Sequence, residues 1–145
     1  MPLDRSFVEL NRASTARIRT LVDQLTDQQL QHPVGEHWTV AITLAHLAFW
    51  ERRLLQILAE TEASGKLDPP VIDTVVNDLS LPLWAAVPPR SAARLAVESS
   101  QEVDQRLENY PSDLLEQIYA RLDRWVVRSL HRNEHLDEID AALQA

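Results

Sequence analysis

The chain has 145 residues, of which 45% are hydrophobic, so it is long and apolar enough for one folded domain with a real core. Its 14 lysines and arginines against 22 aspartates and glutamates leave a net charge of −8, which argues against a nucleic-acid partner because phosphate backbones are also negative. Cysteine is absent, and this excludes disulfides, cysteine-ligated zinc and a thiol nucleophile supplied by the chain. Only 2 glycines also exclude a glycine-rich phosphate loop.

No segment of the sequence has the character of a membrane anchor or a leader. The longest apolar run, residues 40–50, is interrupted by Thr43 and His46 and is shorter than the roughly 20 residues that a membrane span needs. The first five residues lead into a charged amphipathic stretch without the apolar region of a signal peptide. We therefore expect one cytoplasmic domain over residues 1–145, with no membrane partner.

The first predicted helix runs from about Leu3 to Leu25. Its apolar residues recur at spacings of three, four and small multiples of these, which is typical of one helical face. They are Leu3, Phe7, Leu10, Ile18, Leu21 and Leu25. The segment Thr26-Asp27-Gln28-Gln29 then has the form of a capping box, which predicts a short helical turn before Pro33-Val34-Gly35 breaks it.

The second long helix is predicted to begin after Thr39, which has the side chain of a good N-cap, and to end at Gly65. It is apolar on two sides, so we expect it to lie between other helices. Residues 66–90 contain five prolines and are predicted to form a crossover that holds a short helix over about 71–79.

A third helix is predicted to follow Pro88-Pro89, and Pro111 separates it from a last helical stretch that Ser112 or Asp113 can cap. This last stretch keeps a helical period and is expected to kink or break near residues 120–123. No stretch alternates with a period of two. The predicted fold is therefore all-α, a four-helix bundle with a long crossover between helices 2 and 3.

Three histidines form a candidate metal site. His131 and His135 are four residues apart on the last predicted helix, a spacing that lets two imidazoles bind one divalent ion. His46 is the best third ligand because it lies within an apolar run, where a buried imidazole needs a partner. The alternatives are a solvated pair and a core histidine bonded to a carbonyl. His32 and His37 are interpreted as loop residues.

Residues 131–135 also fit the H-x-x-E-H pattern of inverted zinc proteases, in which the glutamate is the general base. That class needs an acidic ligand far downstream, and only ten residues follow His135. We therefore interpret Glu134 as a solvent-facing helix residue.

Trp50 and Arg53 follow His46 on the same helical face. Trp50 is either a core aromatic or a wall of a pocket over the metal. Arg53 is either a surface cation or the residue that holds an anionic group of a substrate. The remaining tryptophans, Trp38, Trp84 and Trp125, are predicted to be packing residues.

Two parts of the sequence resemble the DinB-like superfamily. They are Gly35-Glu36-His37-Trp38-Thr39-Val40 with Leu44-Ala45-His46-Leu47-Ala48-Phe49-Trp50-Glu51-Arg52-Arg53, and Leu130-His131-Arg132-Asn133-Glu134-His135-Leu136-Asp137-Glu138-Ile139. Members are four-helix bundles with one histidine from the second helix and an H-x-x-x-H pair from the last. The resemblance implies His46, His131 and His135 as metal ligands. It extends over essentially the whole chain, including the crossover segment around Asn77. We group Asn77 with Trp50 and Arg53 as candidate substrate-binding residues.

The resemblance also implies an activity. Characterised members include transferases and isomerases that use a low-molecular-weight thiol such as bacillithiol or mycothiol, and others act in detoxification or stress response. We expect a divalent cation, with zinc ahead of nickel, iron and manganese, a thiol cosubstrate, a small-molecule substrate and a homodimer. Two alternatives stay open: a non-enzymatic protein that sequesters a small molecule or metal, and a helical partner-binding module whose histidines are incidental.

Overall fold

The structure, a computed structural model, describes residues 3–145, and four long helices dominate it. Met1 and Pro2 lie outside the described residues. They belong to the N-terminal segment that is predicted to have no signal-peptide character. The helices are Phe7–Gln24 (α1), Asp27–Leu30 (α2), Val40–Ser64 (α3), Val75–Ala86 (α4), Pro89–Glu108 (α5), Ser112–Arg121 (α6) and Ser129–Gln144 (α7). A 3-10 turn, Asp123–Trp125, joins α6 to α7.

The long helices form a four-helix bundle. Helix α1 packs against α5 and α7, and α3 packs against the same two helices from the other side. Helix α4 lies in the crossover between α3 and α5 and packs on α3. This confirms the predicted all-α bundle with its crossover between the second and third long helices.

The predicted end signals of α2 and α3 are present. The hydroxyl of Thr39 accepts the N–H of Ile42 at 3.1 Å, and Gly65 ends α3 in the left-handed conformation with φ of 79°. Thr26 and Gln29 form the reciprocal capping box at the start of α2. Local sequence therefore specifies where these helices start and stop.

Two apolar clusters make up the core, and a polar layer separates them. One cluster includes Ile18, Leu44 and Leu136, and the other includes Phe7, Leu54 and Leu107. Between them, each long helix contributes polar residues to the buried interior: Asn11, Ser14 and Thr15 from α1, Glu51 from α3, Ser99, Ser100 and Asp104 from α5, and Arg132 from α7. The interior of the bundle is therefore not continuously apolar.

The polar layer accounts for a wrong prediction about α1. The periodicity predicts Leu10 on the buried face, but its side chain is 50% exposed, while Asn11 and Ser14 are buried. The buried face of α1 is turned so that these polar residues meet Arg132 on α7. Helix α1 also begins at Phe7 rather than near Leu3.

Two further boundaries differ from the prediction. The crossover helix covers Val75–Ala86 instead of about 71–79 and continues through Pro82, which lies on its exposed side. Proline has no N–H to donate to the carbonyl one turn earlier, and because this side of the helix is exposed, water can hydrogen-bond to that carbonyl instead. Helix α6 starts directly after Pro111 without a side-chain cap, so neither Ser112 nor Asp113 is its N-cap. The predicted break is confirmed, since α6 ends at Arg121.

A small hairpin precedes α3 and places one aromatic side chain. Pro33–Val34 pairs antiparallel with Trp38–Thr39 around a turn in which Gly35 has a φ of 71°. The hairpin fixes Trp38 at the N-terminal end of α3. Within residues 3–145, none of the helices combines the length and apolarity required to traverse a bilayer.

Replacing Thr39 with alanine removes the acceptor for the Ile42 N–H, and we expect a loss of about 1 kcal/mol in the free energy of unfolding. Thr39→Ser keeps the hydroxyl and should lose much less. Urea denaturation of the two variants checks this, and equal losses in both would contradict a capping role.

Candidate metal centre and cavity

Helices α3 and α7 bring three imidazoles together at one side of the bundle. One ligand atom from each of His46, His131 and His135 lies within 4.8 Å of the other two, and Nε2 of His46 lies 3.1 Å from Nε2 of His135. Nitrogens that bind one ion at about 2.0–2.1 Å in a tetrahedral arrangement are themselves about 3.3 Å apart. The His46–His135 distance is close to this value, and separations of up to 4.8 Å need only a small adjustment of the rings for the three side chains to hold a single divalent cation.

The protonation states of the rings favour binding of a cation. Burial lowers the pKa of His46 to about 3, and the neighbouring His135 adds to this effect. Burial and the positive charge of Arg128 lower the pKa of His131 to about 2. Both rings are therefore neutral near pH 7, and neutral imidazole is the form that binds metal.

The second ring nitrogens have different partners. Nδ1–H of His135 can donate a hydrogen bond to a carboxylate oxygen of Glu138 at 3.2 Å, which leaves the lone pair of this ring on Nε2. Nδ1 of His131 accepts a hydrogen bond from Arg128 at 3.2 Å, so the proton of the neutral ring is on Nε2. A neutral His131 that binds a cation through Nε2 has its proton on Nδ1 instead, so binding through that atom replaces the hydrogen bond from Arg128, whose guanidinium cannot accept one. Nδ1 of His46 is buried without a hydrogen-bond partner.

A cavity of about 390 Å³ opens beside the three rings. Aromatic and apolar side chains form most of its wall: Trp38, Trp50, Trp125, Ile72 and Leu122. Polar and charged side chains complete it: Thr74, Asn77, Arg124, Arg128 and Glu134. A cavity with such walls suits a small organic ligand.

The structure brings two of the three candidate substrate-binding residues to this cavity. Trp50 and Asn77 both line it, and the indole N–H of Trp50 donates to the amide oxygen of Asn77 at 3.0 Å. Arg53 instead lines a separate groove with Lys66 and contacts Gln56.

The remaining histidines lie in the loop that holds the hairpin, as predicted. Nε2 of His32 lies 3.0 Å from the carbonyl oxygen of Ala142, and the exposed His37 lies near Glu36. Neither belongs to the group of imidazoles that converge beside the cavity.

The tryptophans have a larger part in the cavity than sequence reasoning assigned to them. Trp84 and Trp125 are buried, as expected of packing residues, and the Trp84 ring meets His46 edge-on. Trp38 lies almost parallel to the His135 ring with centroids 6.1 Å apart, and Trp38 and Trp125 also line the cavity. No periodicity signals these positions, because the hairpin and the 3-10 turn supply them.

Beneath the histidines, a buried ion-pair network joins α3, α5 and α7. Arg132 donates to both carboxylate oxygens of Glu51 at 3.1 Å and to Asp104 at 2.9 Å, and its side chain has no exposed surface. Arg128 donates to the same Glu51 at 3.0–3.3 Å. The two carboxylates thus balance the two guanidinium groups inside the bundle.

The two carboxylates respond differently to burial. For Glu51, burial alone would raise the pKa, but the adjacent Arg128 and Arg132 outweigh it and the pKa is lowered. For Asp104, burial prevails over the attraction of Arg132, and the pKa is raised. Glu51 is therefore the firmly ionised anion of the network.

The chain matches the family described as the mycothiol maleylpyruvate isomerase N-terminal domain over residues 11–118. It belongs to this family. The family is part of the DinB-like superfamily, which confirms the resemblance seen in the sequence. No curated protein and no solved structure matches the chain.

The matched region of the chain contains α3 with His46 and the whole crossover, but it ends before α7. The histidine pair on α7 therefore joins the site through the fold, outside the matched residues. The ion pair between Glu51 and Arg132 connects the two parts directly beneath the three rings.

Sequence reasoning missed this network. The available signal was a single carboxylate, Glu51, at the end of the longest apolar run of the chain. A charge at such a position indicates a buried partner. Arg132 gave no comparable signal, because α7 has charged residues around most of its circumference.

Glu51→Gln removes the anion between two buried guanidinium groups, and we expect it to lower the free energy of unfolding by about 3–5 kcal/mol. The matched control is Glu62→Gln, which removes the anion of an exposed pair with Arg106 and should cost less than about 1 kcal/mol. Urea denaturation measures both, and a similar loss in the two variants would contradict the importance of the buried network.

Proposed function

We propose that this domain is a metal-dependent enzyme of the DinB-like type that uses a low-molecular-weight thiol, as an S-transferase or isomerase in detoxification or stress response. The observation that carries the proposal is the convergence of three imidazoles, two of them with strongly lowered pKa values, beside an aromatic-walled cavity. The description of its family includes the word mycothiol, which is a low-molecular-weight thiol, and this supports the choice of a thiol. The absence of cysteine from the chain fits a thiol supplied by a second molecule.

In this proposal His46, His131 and His135 are the ligands of one divalent cation. Zinc is placed ahead of nickel, iron and manganese as the usual occupant of an all-nitrogen site, although imidazole suits several metals. When bound, such an ion supplies an open coordination position and lowers the pKa of a thiol that binds there. Glu138 orients the His135 ring through Nδ1. The buried pair of Glu51 and Arg132 holds α7 against α3.

The substrate is proposed to be a small molecule that binds in the cavity. Trp50 provides an aromatic wall, and Asn77 orients that indole through its hydrogen bond. We restrict the proposed substrate contacts to these two among the three candidates, because Arg53 lies in another groove.

The homodimer, the cytoplasmic location and the single domain over residues 1–145 stay predictions. The feature that supports a dimer is an exposed apolar stripe on α4, where Val75 is 49%, Leu79 70% and Leu83 71% exposed. Their spacing of four residues places them on one face of the helix. The polar layer supports a single domain, because it joins all four long helices.

Protein purified without an affinity tag is expected to contain about one divalent ion per chain, because three imidazoles provide one site. His131→Ala should lose the ion, as should His46→Ala. Elemental analysis by mass spectrometry measures the content. His37→Ala, which changes an exposed loop histidine, is the matched control and should retain the ion.

The metal-loaded protein should then turn over a small electrophile or isomerisable substrate only in the presence of a thiol. Stoichiometric ligand binding with no turnover across a panel of thiols would favour the sequestering protein instead. A wild-type chain that takes up no metal even after loading would remove the enzymatic proposal.

A further inference from the structure

The guanidinium of Arg128 contacts one of the three candidate metal ligands. Its Nη2 donates to Nδ1 of His131 at 3.2 Å and to a carboxylate oxygen of Glu51 at 3.0 Å, so both hydrogens of this nitrogen are in use. Nε donates to the same carboxylate at 3.2–3.3 Å, and Nη1 donates to the carbonyl oxygen of Arg124 at 3.1 Å. Arg128 is buried and forms part of the cavity wall. One side chain therefore joins the candidate metal centre, the buried network and the cavity.

The hydrogen bond from Arg128 to His131 is incompatible with binding of a cation by His131. If Nδ1 of the ring binds the ion, its lone pair can no longer accept the N–H. If Nε2 binds the ion, the neutral ring has its proton on Nδ1, and two donors then face each other because a guanidinium has no acceptor. Arg128 therefore loses this acceptor whichever nitrogen His131 uses.

The N–H that Arg128 releases stays beside the cavity. Glu51 and the carbonyl oxygen of Arg124 continue to hold the other nitrogens of the guanidinium, so the side chain keeps its place in the buried network. A buried N–H without an acceptor is costly, and a new acceptor that reaches it is correspondingly favoured. An atom of a ligand in the cavity is in a position to be that acceptor, because Arg128 lines the cavity.

The charges around the cavity favour an anionic acceptor. Glu51 and Asp104 balance the two buried guanidinium groups, and Arg124 at the rim is paired with Glu134. A divalent cation held by neutral imidazoles adds positive charge to this balanced set, and the exposed Glu138 beside His135 screens only part of it. The indole walls suit a flat organic group. A carboxylate on such a group satisfies both the charge and the walls.

We propose that Arg128 is a substrate-binding residue coupled to the metal centre: occupation of the histidines releases its N–H from His131, and this N–H then donates to a carboxylate oxygen of the ligand. The proposal rests on the proposed function for the metal centre and deepens it by naming a residue and the group it binds. Because linkage is reciprocal, a carboxylate that gains this donor must strengthen metal binding by the same factor by which the metal strengthens carboxylate binding.

The test measures the zinc affinity of the full chain by competition with a chromophoric chelator at constant pH, first alone and then with benzoate. Benzamide, which has the same ring without the charge, is the control ligand. In the wild-type chain benzoate should lower the Kd of zinc about tenfold, after correction for the weak complex of zinc and benzoate in solution. Benzamide should change this Kd by less than about twofold.

Arg128→Met removes the guanidinium but leaves Glu51 with its two hydrogen bonds to Arg132, which supports the fold. Without benzoate this variant should bind zinc about threefold to tenfold more tightly, because no hydrogen bond to His131 has to be broken. The effect of benzoate on the Kd of zinc should fall to about twofold. Arg128→Lys keeps a cation for Glu51 without the planar fork and should show the same loss of the benzoate effect.

Arg124→Met is the matched control. It removes one positive charge from the same cavity wall, but its guanidinium contacts Glu134 rather than a candidate metal ligand, so the full effect of benzoate should persist. If Arg128 had only a structural role, Arg128→Met would bind zinc more weakly. If it acted only through its charge, the benzoate effect would stay at its wild-type size. Either result overturns the proposal, as would an equal loss of the benzoate effect in Arg124→Met.

This outcome can be separated from that of the proposed function. Coupled binding of zinc and benzoate in a chain that turns over nothing with any thiol would contradict only the enzyme. Thiol-dependent turnover together with a benzoate effect that Arg128→Met leaves intact would contradict only the role of Arg128. A chain that takes up no zinc contradicts both.

Discussion

The guanidinium of Arg132 is the feature on which the rest of this structure depends. It has no exposed surface, and it contacts groups on all three of the other long helices. Its acceptors are the backbone of Asn11, the hydroxyls of Ser14 and Thr15, both oxygens of Glu51, the backbone of Ser100 and one oxygen of Asp104. A buried charge with incomplete partners is costly, so the four helices must meet in one register around it.

This constraint explains why the candidate metal centre lies where it does. His131 directly precedes Arg132, and His46 lies five residues before Glu51, so the ion pair fixes the two helices that carry the imidazoles. Apolar packing alone tolerates small shifts of one helix past another. A guanidinium held by two carboxylates tolerates them less, because its donors have a fixed planar geometry.

The same arrangement separates two kinds of charge around the cavity. The buried carboxylates compensate the guanidinium groups on the inner side, and the exposed Glu134 compensates Arg124 at the rim. The apolar walls and the imidazoles then face the cavity with paired charges around them. Because these charges are paired, a cation bound to the histidines would be the main uncompensated charge that a ligand in the cavity meets.

The sequence by itself determined the helical class, the capped ends of α3 and the choice of three histidines as candidate metal ligands. These depend on local periodicity, capping chemistry and spacing. It could not determine that Asn11 faces inward while Leu10 faces water, since a polar residue enters a core only when distant partners meet it there. Only the tertiary structure decided that Trp38 and Trp125 border the cavity and that Arg53 does not. The physical reason is that a helical period fixes which residues share a face, whereas the partner of that face depends on how non-adjacent helices pack.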